Sequence, residues 1–295
     1  MNNETKKQIQ TLAQEWLQNG EGYTQAELSR KTGIDKAYMS QIMNKKWTES
    51  IPSVVNWQKL AYFFGHEQHI ETANYLNIYH ACQHAQAHQG RIGVDGYTGA
   101  GKTYSLERYA NKQPNVFVIS CRRSMGVKSF VRAIAEKVGV GRMHGQVYDY
   151  ERAIVQRIER LEKPLLIFDE CEYLSPAALD SIKSLIQDLR GKCGVVVCGI
   201  IKQWLEKMAT RGRHGMPQLL RRIGHSWLEM QPIQAREVRG FCKANGINHV
   251  PAINFFVSRV SNYDTLQIMV KDVVRVSERQ RIPITADLCA QLFMN

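Results

Sequence analysis

Residues 96–103 read Gly96-Tyr97-Thr98-Gly99-Ala100-Gly101-Lys102-Thr103. This is the spacing G-x-x-x-x-G-K-[ST], the Walker A pattern, in which backbone N–H groups cradle phosphate oxygens. In such a loop Lys102 reaches the β- and γ-phosphates and the Thr103 hydroxyl can ligate Mg²⁺. A second group with chemistry lies downstream, where Leu165-Leu166-Ile167-Phe168 runs into Asp169-Glu170. Asp169 can hold Mg²⁺, and Glu170 can polarise an attacking water. An apolar run ending in two acids is, alone, equally readable as a strand that ends in a solvated turn. Paired with the glycine loop it reads as a Walker B motif. The two together imply that ATP with Mg²⁺ binds here and is hydrolysed. They do not say what the nucleotide drives.

These groups must be positioned by regular elements, and the surrounding sequence supplies them. The apolar segment 91–94 predicts a strand entering the loop, and 103–110 a helix whose N-terminus faces the phosphates. The unbroken apolar run 165–168 predicts a parallel strand buried on both faces. Further strands are expected at 116–119, 195–198 and 227–230, and helices at 129–138 and 149–161. Ser175-Pro176 is a helix start with Pro in the first turn. Leu179, Ile182, Ile186 and Leu189 form its apolar stripe, and Gly191 closes it. Strands alternating with helices imply an open, mainly parallel α/β sheet. From residue 234 to 295 the pattern is helical, as for a small lid domain.

The N-terminal segment reads as a separate all-α unit. Thr24-Gln25-Ala26-Glu27 is a capping box that opens a helix running to about Thr32. Gly33 can make a tight turn, and Asp35 can cap a second helix from Lys36 to about Asn44. Ala26, Ser29 and Gly33 are small where two crossing helices must approach; Leu28, Ile34 and Ile42 are apolar anchors. This is helix-turn-helix spacing. It resembles the repressor-type helix-turn-helix family in Gln25-Ala26-x-Leu28-Ser29-x-x-x-Gly33 followed by Ser40. The resemblance implies that the second helix enters the DNA major groove, with Lys36, Tyr38, Gln41, Asn44, Lys45 and Lys46 as contact candidates. The competing reading is a helical protein-docking module. A further helix is expected from Ser53, with Trp57, Leu60, Ala61 and Phe64 on one face and Gly65 ending it. Residues 70–89 read as a polar, solvated linker helix. His80, His84 and His88 share one face, but no acidic or cysteine ligand joins them there. The expected division is thus 1–66, a linker helix over 67–90, an ATPase core over 91–232 and a lid over 233–295.

Composition fits this reading. The 295 residues carry a net charge of +12, and hydrophobic residues make up 44%, enough for ordinary cores. The basic balance favours a polyanionic partner. Seven cysteines without a C-x-x-C pair or a signal peptide argue for a reducing cytoplasm and packed thiols, Cys193 and Cys198 among them. No apolar stretch is long enough to span a membrane.

The whole chain resembles the phage Mu B-type transposition proteins, which carry a helix-turn-helix domain, an AAA+ P-loop core and a helical lid. The matching segments are 96–103, 165–174, 195–199 and Gln218-Leu219-Leu220-Arg221-Arg222-Ile223. The resemblance implies an ATPase in a bacterial host cytoplasm that self-associates into a helical filament on double-stranded DNA. Such a protein would select target DNA and recruit and stimulate a transposase. It places the arginine that completes a neighbouring protomer's site at Arg222, with Arg221 as the adjacent choice; a surface or DNA-facing arginine pair is the alternative. Arg122, Arg123 and Lys128 are the first DNA-contact candidates in the ATPase core, with Lys183, Lys192, Arg211 and Arg213 behind them. Two departures stand out. The family's polar residue after the fourth strand is Ile200 here, and residues 262–267 of the lid hold no Arg or Lys, Gln267 being the nearest polar candidate. Both point to slow hydrolysis, with nucleotide acting as an assembly switch. Two other functions fit the same motifs: a helicase loader with a related core, and a helix-turn-helix transcriptional regulator that uses ATP only as a ligand.

Overall fold

The computed structural model describes residues 3–18, 24–45, 54–64, 70–141, 143–210, 216–223 and 227–294. The chain divides into two compact units: Glu71–Pro232, and Met1–Ile70 together with Ile233–Asn295.

Among the described residues the N-terminal segment holds α1 (Asn3–Leu17), α2 (Gln25–Thr32), α3 (Lys36–Met43) and α4 (Val54–Phe63). Their shared core contains Ile9, Ala13, Leu28, Ile34, Met39, Ile42, Trp57 and Leu60. The Thr24 hydroxyl accepts the Glu27 N–H at 3.2 Å, as a capping residue should. The reciprocal half of the box is replaced: Glu27 accepts from Arg30 instead, at 2.7 and 2.9 Å. Gly33 turns the chain at φ +64°, and Asp35 caps α3 through the Ala37 N–H at 2.8 Å. Of the three small residues expected between the helices only Ser29 is buried, its hydroxyl donating to the Ile34 carbonyl; Ala26 and Gly33 are exposed. Helix α1 had no counterpart in the sequence reading. Ser53, Gly65 and Lys46 lie outside the described residues.

The central unit opens with α5 (Ala73–His88). It continues through β1 (Arg91–Asp95), α6 (Lys102–Lys112), β2 (Val116–Ser120), α7 (Val127–Lys137), α8 (Val147–Ile158), β3 (Leu165–Asp169), α9 (Pro176–Asp188), β4 (Gly194–Gly199), α10 (Lys202–Thr210), α11 (Met216–Ile223) and β5 (Trp227–Glu229). The five strands are parallel, in the order β2-β3-β4-β1-β5. Alternation along β3 divides the core between the two faces. Leu165 and Ile167 pack with Ile78, Cys82, Leu106 and Tyr109 of α5 and α6. Leu166 and Phe168 pack with Phe130, Ile154, Leu179 and Ile182 of α7, α8 and α9.

The polar reading of α5 is corrected by the structure. The helix is a layer of the central unit, not a solvated linker. Its buried polar residues are paired at both ends. Asn74 donates to the Gln231 carbonyl at 2.8 Å and accepts its N–H at 3.0 Å. Gln86 donates to the Pro114 and Lys163 carbonyls at 3.0 Å each and accepts from the Tyr109 hydroxyl at 2.6 Å. His80, His84 and His88 stay exposed on the outer face.

The C-terminal segment folds as α12 (Ala235–Ala244), α13 (Val250–Arg259), α14 (Tyr263–Gln280) and α15 (Ala286–Phe293) around Val238, Ile253, Phe256, Leu266 and Val270. All seven cysteines are buried and unbridged. Burial pushes the Cys82 and Cys193 thiols up to about 12, so they pack as apolar groups. Among the described residues no helix is long and apolar enough to cross a membrane.

A Cβ added at Gly194 would lie 2.3 Å from the Ala85 carbonyl oxygen, because α5 crosses the start of β4 in backbone contact. Gly194→Ala should therefore destabilise the unit by roughly 1–3 kcal/mol, read as a lower denaturant midpoint. An unchanged midpoint would mean that α5 is not seated on β4.

Candidate functional site

The glycine loop joins the end of β1 to the start of α6, and the acidic pair ends β3. Between these strands runs β4, with Asp95 in register with Gly199. The strand order thus brings the two motifs together across one intervening strand end. Thr103 Oγ1 donates to Asp169 Oδ2 at 2.7 Å across 66 residues of sequence. The other oxygen, Oδ1, accepts the Glu170 N–H at 3.0 Å, which fixes the carboxylate plane.

The loop takes its shape from backbone conformations that side chains disfavour. Gly99 and Gly101 sit at φ +78° and +80°. Gly96 is needed for a different reason, since a Cβ there would overlap the Met230 side chain at 2.3 Å. The Gly96 N–H donates to the Gly199 carbonyl at 3.2 Å, tying the loop to β4. Lys102 opens α6 and is 6% exposed. Its ammonium donates to the Gly96 and Tyr97 carbonyls at 2.7 and 3.0 Å, and no described carboxylate forms an ion pair with it. A buried ammonium held by neutral carbonyls, at a helix N-terminus, suits an anionic ligand. Tyr97 donates its phenol to the Gln231 carbonyl at 3.1 Å, and Thr98 is exposed at the loop's crest.

The donor set also fits a magnesium ion. Thr103 and Asp169 present hard oxygens side by side, and Mg²⁺ takes one or two such protein ligands plus water and phosphate oxygens. Glu170 stands next to them at φ +59°, a left-handed conformation costly for a side-chain residue. Burial pushes its carboxyl above the ordinary range; Glu172 and Asp169 add to the rise, and Lys102 opposes it.

Two residues of the site escaped the sequence reading. Glu172, on the 3₁₀ turn Cys171–Tyr173, turns its Oε2 inward, where it is buried without a hydrogen-bond partner among the described residues. A Cβ at Gly199 would meet that oxygen at 2.0 Å. Its place two residues after the acidic pair was the available signal. Asp95, at the end of β1, accepts the Ile201 and Lys202 N–H groups at 2.7 and 2.8 Å and so caps α10. Nothing local marks a strand-terminal Asp as the cap of a helix about a hundred residues away. Ile200 follows Gly199 and is 49% exposed, an apolar group at this rim of the sheet. Gln267 lies exposed on α14.

The two arginine candidates differ in their surroundings. Arg222 is not free in this conformation: it donates to the Lys183 carbonyl at 2.6 Å and to Gln187 Oε1, both on α9 of its own chain. Arg221 is exposed. Of the nucleic-acid candidates, Arg122 and Arg123 are exposed in the loop after β2, and Lys128 is exposed but lies in the first turn of α7 rather than in that loop. Lys183 and Lys192 are engaged by Asp180 and Glu159 at 2.7 and 2.5 Å. Arg211 and Arg213 fall outside the described residues. On α3 and just past it, Lys36, Tyr38, Asn44 and Lys45 are exposed. Gln41 is half-buried, with its Oε1 shielded and unpartnered among the described residues.

Fold and site together define a P-loop nucleotide-binding unit with the AAA fold. Residues 85–208 match the family model described as an AAA domain. The chain is similar to the Mu-like prophage FluMu DNA transposition protein B of Haemophilus influenzae, 26% identical over 205 residues that cover 65% of this chain and 68% of the relative. The resemblance to the Mu B-type proteins read from the sequence therefore holds. Among solved structures, the Aeropyrum pernix ORC1 protein in complex with DNA superposes with a TM-score of 0.57 at 15% identity, covering 75% of this chain and 65% of that one. This chain thus spans just under two thirds of the ORC1 chain. The RuvB Holliday junction branch migration motor of Thermotoga maritima gives 0.50 at 16% identity, covering 75% and 68%. At these identities the two structures show the shared fold alone.

Lys102→Ala should abolish nucleotide binding, because it removes the buried charge at the loop's centre. Glu170→Gln should keep binding and lower turnover by roughly 10²-fold or more. Equilibrium binding of a fluorescent ATP analogue and steady-state phosphate release separate the two. Turnover surviving in Glu170→Gln would remove Glu170 from the role of base.

Proposed function

We propose that this protein is an ATP-dependent DNA-binding regulator of transposition, which polymerises on duplex DNA, selects the target and recruits and stimulates a transposase. The likeness to the FluMu transposition protein carries this reading. It spans 205 residues, more than the 124 of the matched AAA segment. The exposed polar and basic residues on and after α3 and the net charge of +12 support duplex DNA as the partner.

In this reading ATP lies across the glycine loop with its phosphates toward the N-terminus of α6. Lys102 neutralises the β- and γ-phosphates, and the loop N–H groups fix them in place. A magnesium ion held by Thr103 and Asp169 would screen the charge that builds on the phosphates during transfer. Glu170 orients the attacking water and accepts its proton. An arginine of α11, Arg221 as it stands or Arg222 once freed from α9, completes the site of an adjacent protomer. Ile200 supplies no hydrogen bond to the water, which favours slow turnover and a filament that persists while ATP is bound. Nonspecific backbone contacts come from Arg122, Arg123 and Lys128, while Lys36, Tyr38, Gln41, Asn44 and Lys45, on and just past α3, are the major-groove candidates.

Electron microscopy on random-sequence duplex DNA tests the assembly directly. Regular filaments should form with a non-hydrolysable ATP analogue and be absent without nucleotide. Discrete particles at a few sequences would instead favour a site-specific regulator. Within the filament, Arg221→Ala or Arg222→Ala should retain ATP binding and lose DNA-stimulated hydrolysis on the order of a thousandfold. Unchanged turnover in both would remove α11 from the neighbouring site.

A further inference from the structure

The turn after β3 carries a second acidic side chain. Glu170 precedes the turn and Glu172 lies in its middle. The Tyr173 N–H donates to the Glu170 carbonyl and the Leu174 N–H to the Cys171 carbonyl, each at 3.1 Å, which closes the turn. The buried Cys171 thiol donates to the Phe168 carbonyl at 3.2 Å and roots the turn in the core. Held this way, Glu172 reaches the end of β4. A Cβ built on Gly199 would stand 2.0 Å from Glu172 Oε2, so that oxygen rests against the last residue of the strand. The Gly199 carbonyl accepts the Gly96 N–H at 3.2 Å, which puts the same strand end beside the start of the glycine loop. Glu172 Oε2 is shielded from solvent and has no hydrogen-bond partner among the described residues. Burial, then the charge of Glu172, raises the Glu170 carboxyl, as expected of neighbours on one turn.

A carboxyl oxygen withdrawn from water without a donor lowers stability, and such groups persist where a function needs them. An attacking water supplies that need. It carries two hydrogens, and its lone pair is aimed only when both are held. Glu170 accepts one. The other acceptors around these strand ends are engaged. Asp169 receives the Thr103 hydroxyl on one oxygen and the Glu170 N–H on the other. Asp95 Oδ1 receives the Ile201 and Lys202 N–H groups. The Gly199 carbonyl receives the Gly96 N–H. Ile200, next along the chain, has no polar atom in its side chain. Of these acceptors, Glu172 Oε2 alone is without a donor.

We propose that Glu172 is a second catalytic carboxyl of ATP hydrolysis, whose Oε2 accepts a hydrogen bond from the attacking water while Glu170 takes the water's other proton. The water oxygen bonds to the γ-phosphorus as the bond from that phosphorus to the β,γ-bridging oxygen breaks. ADP and inorganic phosphate leave; the hydrogen held by Glu172 stays on the new phosphate, and Glu170 gains the other. The role rests on the reading of the protein as an ATPase with Glu170 as its base.

Glu172→Met fills similar space without an acceptor, and Glu172→Gln keeps one oxygen there. Phosphate release is measured with random-sequence duplex DNA present. Binding is measured for a non-hydrolysable ATP analogue and for ADP–aluminium fluoride, which mimics the γ-phosphoryl group with the water in line. In Glu172→Met, kcat and the affinity for ADP–aluminium fluoride should each fall about tenfold, with KM and the affinity for the ATP analogue unchanged. Glu172→Gln should lose about threefold in both, since an amide oxygen accepts more weakly than a carboxylate. Melting temperature without nucleotide should hold or rise in both variants, because Oε2 has no partner to lose. Unchanged kcat in Glu172→Met would overturn the role. Equal losses in the two variants would also overturn it, since they would point to the charge and not to the accepted hydrogen bond. A loss of kcat together with weaker binding of the ATP analogue, or with a lower melting temperature, would make Glu172 structural. An unaltered protein that binds ATP and releases no phosphate would sink the ATPase reading, and the role of Glu172 with it.

Discussion

The hydrogen bond between Thr103 and Asp169, 2.7 Å long, closes the distance between two motifs on strands that do not touch. β1 and β3 are both paired to β4, so the bond can form only if β4 ends flush with its neighbours and presents no side chain where they converge. Gly199 meets that condition. A side chain there would strike the Glu172 carboxylate, and its carbonyl already receives the Gly96 N–H. The loop, the acidic pair and the end of β4 are therefore one device. Everything else in the central unit keeps five parallel strands in register so that this junction holds.

The charges at the junction are unbalanced in a way that only a ligand resolves. A buried ammonium faces carbonyls, while three carboxylates, Asp169, Glu170 and Glu172, share one rim. A polyanion with a divalent cation satisfies both sides at once: phosphates meet Lys102, and the metal meets the oxygens. The left-handed backbone of Glu170 fits the same account, since strain persists where surrounding structure over-determines it.

Much of this was legible in the sequence because it rests on local rules. Left-handed glycines, the Ser175-Pro176 helix start, the Asp35 cap and the unbroken apolar run of β3 each depend on a few adjacent residues. Helix α5 was misread because the relevant pattern is not local. Asn74 and Gln86 look like solvated residues, yet their amides are buried against backbone groups that lie from 28 to 157 positions away. A buried, fully paired amide is indistinguishable in sequence from an exposed one.

By itself the sequence determined the chemistry: which groups can hold phosphate, metal and water, and that a parallel α/β unit must carry them beside helical segments. Those properties follow from residue type and short-range spacing. The tertiary structure decided which groups meet. It placed Glu172 beside Gly199 at the end of β4, turned Arg222 onto its own α9, gave Asp95 to a distant helix and set the Arg91 guanidinium against the end of α11. Such encounters depend on strand order and on the path of each connection. Those are fixed by the packing of the whole sheet rather than by any segment of the chain.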